Sequence, residues 1–214
     1  MSYRRKEWLM LMMALASVLM AGYFYPQLPD QLATHWNMNG QVDGYMEKGW
    51  GVFLFPGMML SLVLLFYIIP RIDPLKANIE KFRDAYEEMV VVILAFFLLI
   101  FLQTMLWNIG IQISPSLTVP VAVGLLFIYL GYLLPKAKRN WFVGIRTPWT
   151  MSSDKVWDKT HKVGGKLFIM MGIILTLSVF LGSTSFYIMI AGILAVVIYL
   201  FWYSYVQFQK EKKK

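Results

Sequence analysis

Apolar and polar positions divide the chain into six long apolar runs and the polar connections between them. None of the runs contains an Asp, Glu, Lys, Arg or His residue. A helix needs about 20 such residues to cross a hydrocarbon core about 30 Å thick. The sequence therefore predicts an all-α integral membrane protein with six transmembrane helices. The predicted spans are residues 8–25, 51–69, 89–108, 116–134, 167–181 and 186–206.

The first apolar run follows Arg4, Arg5 and Lys6, an arrangement that a cleaved signal peptide shares. The run continues through residues 23–26 without a polar break, and five more spans follow it. We therefore interpret it as a membrane span, with the signal peptide as the less favoured alternative.

The connections group the spans into units of one compact membrane domain. Two connections are elaborate, and they fall on opposite sides of the predicted membrane. The predicted units are residues 1–70, with two helices and a folded extracellular loop at 26–50; residues 71–134, with helices 3 and 4 and a cytoplasmic extension at 71–88; residues 135–206, with a cytoplasmic loop at 135–166 and helices 5 and 6; and a basic tail at 207–214.

The outer loop, residues 26–50, has the sequence PQLPDQLATHWNMNGQVDGYMEKGW. The pairs Asn39–Gly40 and Asp43–Gly44 are turn signals, so we expect a folded loop. Aromatic residues beside a span are normally anchors at headgroup level. His35, Trp36 and Asn37 lie too far from either span for that role, and they are candidates for a contact surface.

The connection between spans two and three predicts a helical extension of span three into the cytoplasm. Asp73 is placed to cap it and Pro74 to occupy its first position. Apolar residues from Leu75 to Met89 then recur at helical spacing. We interpret this segment as a packing and docking element.

The inner loop, residues 135–166, predicts an amphipathic interfacial helix between helices 4 and 5. Ser152 or Ser153 is placed to cap it, with Asp154 in its first turn. From there the apolar positions fall within an arc of about 120°, and the lysines fill the remainder. Such a helix lies in the headgroup layer, where we expect Trp141, Trp149 and Trp157. Those residues are then membrane anchors.

The segment GIRTPWT, residues 144–150, favours a more specific role for part of this loop. A Gly, a Pro and two Thr surround Arg146, which predicts a defined turn that directs the guanidinium at an acceptor. Loose anchoring in a membrane does not require that turn.

The distribution of basic residues predicts the orientation. Nineteen of the 20 Lys and Arg residues fall on one side of the six-span plan, and the other is Lys48 in the outer loop. Because short loops rich in Lys and Arg stay in the cytoplasm, both termini are predicted to be cytoplasmic in a bacterial plasma membrane. The net charge of +8 then faces anionic membrane lipids, so no nucleic-acid partner is required.

Candidate chemistry is sparse. The chain has no Cys, and its two His residues fall on opposite sides of the predicted membrane. We therefore expect no metal site, no cofactor and no enzymatic activity. Ion-coupled transport normally requires ionisable groups within spans, which this pattern lacks. A passive transporter or channel, or a lipid-handling protein, stays open as the alternative function.

At these loops the chain resembles the SdpI family, bacterial multi-pass immunity proteins with a DUF1648-like domain at the N-terminus. The inner sequence NWFVGIRTPWTMSSDKVWDKTHKVGGKLF carries the long motif, and LPDQLATHWNMNGQVDGY carries a shorter outer motif. The resemblance covers nearly the whole chain. The family motif falls on His35, Trp36, Asn37 and Gly40 outside, and on Gly144, Arg146, Thr147, Pro148, Trp149, Thr150, Trp157, Lys159, Thr160 and His161 inside.

The resemblance implies a protein that protects its host from a secreted peptide toxin of the sporulation-delaying type, which acts on the membrane. The outer motif is then expected to contact the toxin or a partner. In family members that also signal, the toxin-engaged protein holds a cytoplasmic transcriptional repressor at the membrane, which is a second expected partner for the inner motif. The oligomeric state does not follow from the sequence.

Overall fold

The structure of the protein is a computed structural model that describes residues 3–213. Its elements in chain order are α1 (Tyr3–Phe24), β1 (Gln31–Trp36), β2 (Val42–Glu47), α2 (Lys48–Ile72), α3 (Lys76–Lys81), α4 (Arg83–Asn108), α5 (Pro115–Leu133), α6 (Pro148–Ser152), α7 (Asp154–Ser178) and α8 (Thr184–Lys212). Short 3₁₀ turns follow α1, α5 and α7.

Six helices in this range are long and apolar enough to cross a membrane, which confirms the predicted number of spans. They are α1, α2, α4, α5, α7 and α8. The connectivity places the β-strands and the starts of α5 and α8 at one end of the bundle. We name this end the hairpin face, and the opposite end, with residues 134–153, the loop face.

The prediction of an all-α fold is wrong at the outer loop. Strands β1 and β2 form an antiparallel hairpin in which Gln31 pairs with Glu47 and Trp36 with Val42. Exposure alternates along β2, as expected of a strand with one face on the protein. Asn39–Gly40 lies in the turn, as the sequence predicts. Asp43–Gly44 lies inside β2, so the turn predicted there is wrong.

The separate interfacial helix is not confirmed. Ser153 accepts a hydrogen bond from the amide of Val156, and Asp154 lies in the first turn, both as predicted. The same helix, however, continues without a break to Ser178. Trp157 has 0% exposure, so its ring packs inside the protein and does not face the lipid headgroups as an anchor would. The apolar arc of this segment packs within the protein.

The inner extension is built differently from the prediction. Helix α3 begins at Lys76, with Leu75 as its N-cap, so Asp73 does not cap it and Pro74 precedes it. The single residue Phe82 separates α3 from α4. The segment is therefore largely helical, as predicted, but it bends before span three.

Charged residues at the ends of α1 and α4 hold these helices together on the loop face. Lys6 is buried and pairs with Asp84 and, at 3.1 Å, with Glu88. Arg83 pairs with Glu7 of α1 at 3.3 Å and with Glu87 of its own helix at 2.7 Å. A buried ion needs such partners to offset its lost hydration.

The bundle consists of two helix groups. Helices α1, α2 and α4 contact one another, as do α5, α7 and α8, and α4 and α5 join the groups. The closest approach is between α5 and α7. A Cβ atom added to Gly131 would lie 2.6 Å from the carbonyl oxygen of Gly165, and one added to Gly124 would lie 2.7 Å from that of Gly172. Small residues of this kind let helix backbones meet in a membrane.

Candidate functional site

The loop-face motif folds around the imidazole of His161, which is fully buried on α7. Its Nε2 atom accepts a hydrogen bond from the amide of Ile145 at 3.0 Å. Its Nδ1 atom lies 2.9 Å from the carbonyl oxygen of Trp157. The first bond requires an unprotonated Nε2 and the second requires a proton on Nδ1, so the ring is neutral. His161 therefore fixes the backbone of the loop.

Gly144 allows the loop to pass directly over this ring. Its φ angle is +116°, a backbone conformation that favours glycine. A Cβ atom at this position would lie 2.4 Å from Nε2 of His161 and 3.1 Å from the Trp157 ring. The Trp157 ring in turn stacks on His161 with centroids 4.0 Å apart. Gly144, Trp157 and His161 form one packed unit.

One hydrogen bond attaches this unit to the segment that follows α5, and Asn140 organises the turn beside it. Trp157 Nε1 donates to the carbonyl oxygen of Ala137 at 2.8 Å. The fully buried Asn140 accepts from the amides of Phe142 and Val143 and donates to the carbonyl oxygen of Lys138. The backbone polar groups of this turn are thereby satisfied by one side chain.

Thr147 and Thr150 form a reciprocal cap at the start of α6. The amide of Thr150 donates to Thr147 Oγ1 at 3.1 Å, and the amide of Thr147 donates to Thr150 Oγ1 at 2.8 Å. Pro148 occupies the first helical position, where its missing N–H costs nothing. The motif residues Thr147, Pro148 and Thr150 therefore define the turn that the sequence predicts around Arg146.

The turn is also fastened to α8. Thr147 Oγ1 donates to Ser204 Oγ at 2.9 Å. The Trp149 ring meets those of Phe201 and Tyr205 at centroid distances of 4.8 and 5.1 Å. Trp149 is thus packed against a helix, whereas Trp141 is 52% exposed and free to act as the predicted anchor.

Arg146 is exposed and donates through Nη1 to the carbonyl oxygen of Trp141. Its acceptor therefore lies within the loop. Arg146, Trp141, Thr147 and Ser152 also line an open depression of about 550 Å³ on the loop face.

The remaining motif residues lie along α7. Lys159 is exposed and donates to Gln207 on α8 at 3.1 Å. Thr160 is fully buried and its hydroxyl has no hydrogen-bond partner within the described residues. We have no physical account of that unpaired hydroxyl.

Asp73 and Asn78 join the loop to the connection between α2 and α4. The buried carboxylate of Asp73 accepts from the amide of Leu75 at 2.6 Å and from that of Trp141 at 2.9 Å. Asn78 donates to the carbonyl oxygen of Arg139 at 2.9 Å. Sequence reasoning missed this role of Asp73 because it assigned the carboxylate to a helix cap, and no local signal indicates a partner so distant in the chain.

The hairpin-face motif divides into structural and exposed residues. Asn37 closes the hairpin turn, since its Oδ1 atom accepts from the amides of Asn39 and Gln41. Gly40 has a φ angle of +75° and lies against Ser114 and Ser116 at the start of α5. These two residues shape the turn and seat it on the bundle.

His35 is the exposed member of this motif. Its side chain has 72% exposure, and Nδ1 lies 2.5 Å from Oδ1 of Asp43 on the neighbouring strand. Trp36 is half-buried and meets the Trp107 ring edge-on at 5.5 Å. The structure therefore places His35 and Trp36 on the hairpin, at the opposite end of the bundle from the loop-face motif.

Asn108, at the end of α4, anchors the hairpin to the bundle. Its side chain accepts from the amide of Ala33 at 2.8 Å and donates to the carbonyl oxygen of Ala33 at 3.0 Å. The sequence predicts an interhelical hydrogen bond for Asn108, whereas its partner Ala33 lies on a strand, because an Asn at a helix end carries no signal for a strand partner. Within residues 3–213, no cluster of three His, Cys, Asp or Glu residues suits a metal ion.

Comparison with known proteins gives two family matches. Residues 136–204 match the SdpI/YfhL protein family. The predicted resemblance to the SdpI family is therefore confirmed. Residues 12–60 match a domain of unknown function, DUF1648, so the SdpI-family motifs on both faces fall within matched regions.

A relative in the curated proteins covers the chain almost completely. Immunity protein SdpI of Bacillus subtilis (strain 168) is 26% identical over 207 residues, which is 96% of this chain and 97% of that protein. No solved structure matches the chain.

Proposed function

We propose that the protein is a multi-pass immunity protein of the bacterial plasma membrane that protects the cell from a secreted, membrane-active peptide toxin. The observation that carries this proposal is the similarity to Immunity protein SdpI over 96% of the chain, which includes both loop motifs. A family of immunity proteins also favours a protein without enzymatic activity.

The proposed orientation places both termini and the loop face in the cytoplasm. This choice puts 19 of the 20 Lys and Arg residues on the cytoplasmic side, in agreement with the positive-inside rule. The hairpin face, with His35 and Trp36, then meets the toxin outside the cell. The folded hairpin supports this role because it holds these side chains at fixed positions above the bundle.

The loop face is proposed to register toxin binding or to dock a cytoplasmic partner such as a transcriptional repressor. Its open depression beside Arg146 supports docking, because the guanidinium is exposed although the surrounding turn is rigid. Signalling further requires two helix arrangements with different affinity for the toxin. The contacts from Thr147 and Trp149 to α8 are the connection through which such a change reaches the loop.

The test of immunity is the membrane potential of a sensitive bacterium challenged with a sporulation-delaying-type peptide. We expect the potential to persist in cells that express the protein and to collapse in cells with an empty vector. Equal collapse in both would remove the support for immunity to that peptide and favour the passive transport alternative.

The contact surface is tested in the same assay with the double variant His35→Ala, Trp36→Ala. We expect loss of protection at unchanged membrane levels. The double variant Gln31→Ala, Glu47→Ala is the matched control, since both side chains are exposed on the same hairpin. Protection retained by the first variant would move the toxin contact away from these residues.

A further inference from the structure

A cleft of about 180 Å³ lies beside the hairpin turn on the hairpin face. Its walls come from the hairpin, from the start of α5 and from the start of α8. Its apolar lining includes Met38, Val119, Phe186 and Met189. Segments distant in the chain therefore converge on one small space next to the outer motif.

The size of this cleft suits one aromatic ring. A cavity of about 150 Å³ lined by apolar side chains is large enough to bind benzene. The thioethers of Met38 and Met189 make favourable contacts with ring edges. Phe186 and Trp36 offer further ring surfaces for offset or edge-on packing. An aliphatic side chain would fit but would lose these ring-specific contacts.

The lining also has a polar part without charge. Asn37, Ser116 and Ser185 are its polar residues, and no Asp, Glu, Lys, Arg or His lines the cleft. Amide N–H and hydroxyl groups of this kind donate hydrogen bonds to the backbone carbonyl oxygens of a peptide. A peptide ligand brings backbone carbonyl oxygens together with its side chain, whereas a lipid acyl chain brings none.

We propose that this cleft binds one aromatic side chain of an extracellular peptide. The proposal rests on the proposed function in one respect, namely that the natural peptide is the toxin. It extends the contact surface beyond the motif residues to Val119, Phe186 and Met189, which the outer motif does not include.

Binding is tested with the purified full-length protein in lipid nanodiscs. The probe is N-acetyl-phenylalanine amide with a photoreactive diazirine on the ring, and labelled peptides are located by mass spectrometry. We expect labelling within residues 36–38 and 185–189. Unmodified N-acetyl-phenylalanine amide should displace the probe at a concentration about tenfold lower than N-acetyl-leucine amide, which corresponds to 1.4 kcal/mol. Equal displacement, or labelling spread over the lipid-facing helices, overturns the proposal.

Two independent variants fill the cleft, Val119→Trp on α5 and Met189→Trp on α8. We expect each variant to lower labelling of the cleft by the photoreactive probe about tenfold. Leu177→Trp is the matched control, because Leu177 is 59% exposed near the end of α7 and does not line the cleft. Unchanged labelling in both cleft variants contradicts the proposal. If neither variant folds, the displacement by the two amides decides it.

The same variants in the membrane-potential assay separate this proposal from the proposed function. Labelling of the cleft together with loss of protection in Val119→Trp is the expected result. Labelling without any protection by the unmodified protein overturns immunity and leaves the aromatic site intact. Absence of labelling in a protective protein overturns the aromatic site and leaves immunity intact.

Discussion

Gly144 shows at the scale of one residue why the loop motif is so specific. Substitution with Ala would place a Cβ atom 2.4 Å from Nε2 of His161 at a φ angle of +116°. We expect Gly144→Ala to lower the free energy of unfolding by about 1–3 kcal/mol, because strain of this kind must be relieved by breaking the bond between Ile145 and His161. Thermal unfolding of the purified protein in one detergent measures this effect.

Gly57 provides the control for that substitution. It lies inside α2, and a Cβ atom added there meets nothing within 4 Å. Ala is favoured over Gly in a helix interior by about 0.5–1 kcal/mol, so Gly57→Ala should leave stability unchanged or raise it. Equal losses in the two variants would contradict the structural role of Gly144.

Arg146 illustrates a functional prediction at the same scale. Lysine keeps the charge but lacks the planar fork, which donates to the carbonyl oxygen of Trp141 and has further donors for the proposed partner at the open depression. We expect Arg146→Lys to protect cells less well in the membrane-potential assay at unchanged membrane levels. Lys155→Arg, on the exposed side of α7, should protect fully. Full protection by Arg146→Lys would indicate that Arg146 serves only as a membrane anchor.

At the scale of elements, the sequence predicts those parts that depend on local pattern. The spans follow from apolar length, and the cap at Ser153 follows from a side chain that bonds to a nearby amide. The hairpin was missed because its strands are short and its apolar residues are sparse. Leu32 is nevertheless fully buried, against α2 and α4. Such a contact between distant segments leaves no local signal.

In the amphipathic segment of α7, by contrast, the sequence pattern was recognised but its partner was misassigned to lipid. An apolar arc beside lysines is consistent with burial in lipid headgroups and equally with burial against protein. Val156, Trp157 and Thr160 are buried in the protein interior. The apolar arc therefore packs against residues far away in the sequence. The contact between Asp73 and the amide of Trp141 could not be assigned for the same reason.

Asn108 leads to a prediction about the hairpin as an element. Asn108→Ala removes both hydrogen bonds to the backbone of Ala33 and leaves those groups without partners. We expect amide exchange across residues 31–47 to accelerate about tenfold or more, since an unsatisfied buried backbone group costs about 1–3 kcal/mol. Hydrogen exchange with mass spectrometry measures this. Gln112→Ala, an exposed change in the following connection, should not alter it, and similar protection in both variants would contradict the anchoring role.

At the scale of the whole molecule, the charge distribution and the connectivity support the same arrangement. Six spans return the chain to the face from which it began, and that face carries the basic residues of both ends. The loop motif and the hairpin motif then lie on opposite sides of the membrane. Any coupling between them must pass through helix packing, and α8 is the candidate element, because it contacts the loop at Ser204 and contributes Phe186 to the hairpin-face cleft.

This arrangement predicts which positions react with reagents outside the cell. The chain contains no Cys, so single cysteine variants report one site each against an unreactive background. In intact protoplasts we expect a membrane-impermeant maleimide to label Tyr45→Cys, whose position on the hairpin is 64% exposed. Lys155→Cys and Lys210→Cys should react only after permeabilisation, because the proposed orientation, with its excess of Lys and Arg on the loop face, places that face in the cytoplasm. The reverse pattern would invert the topology and place the loop motif, rather than the hairpin, in contact with an extracellular peptide.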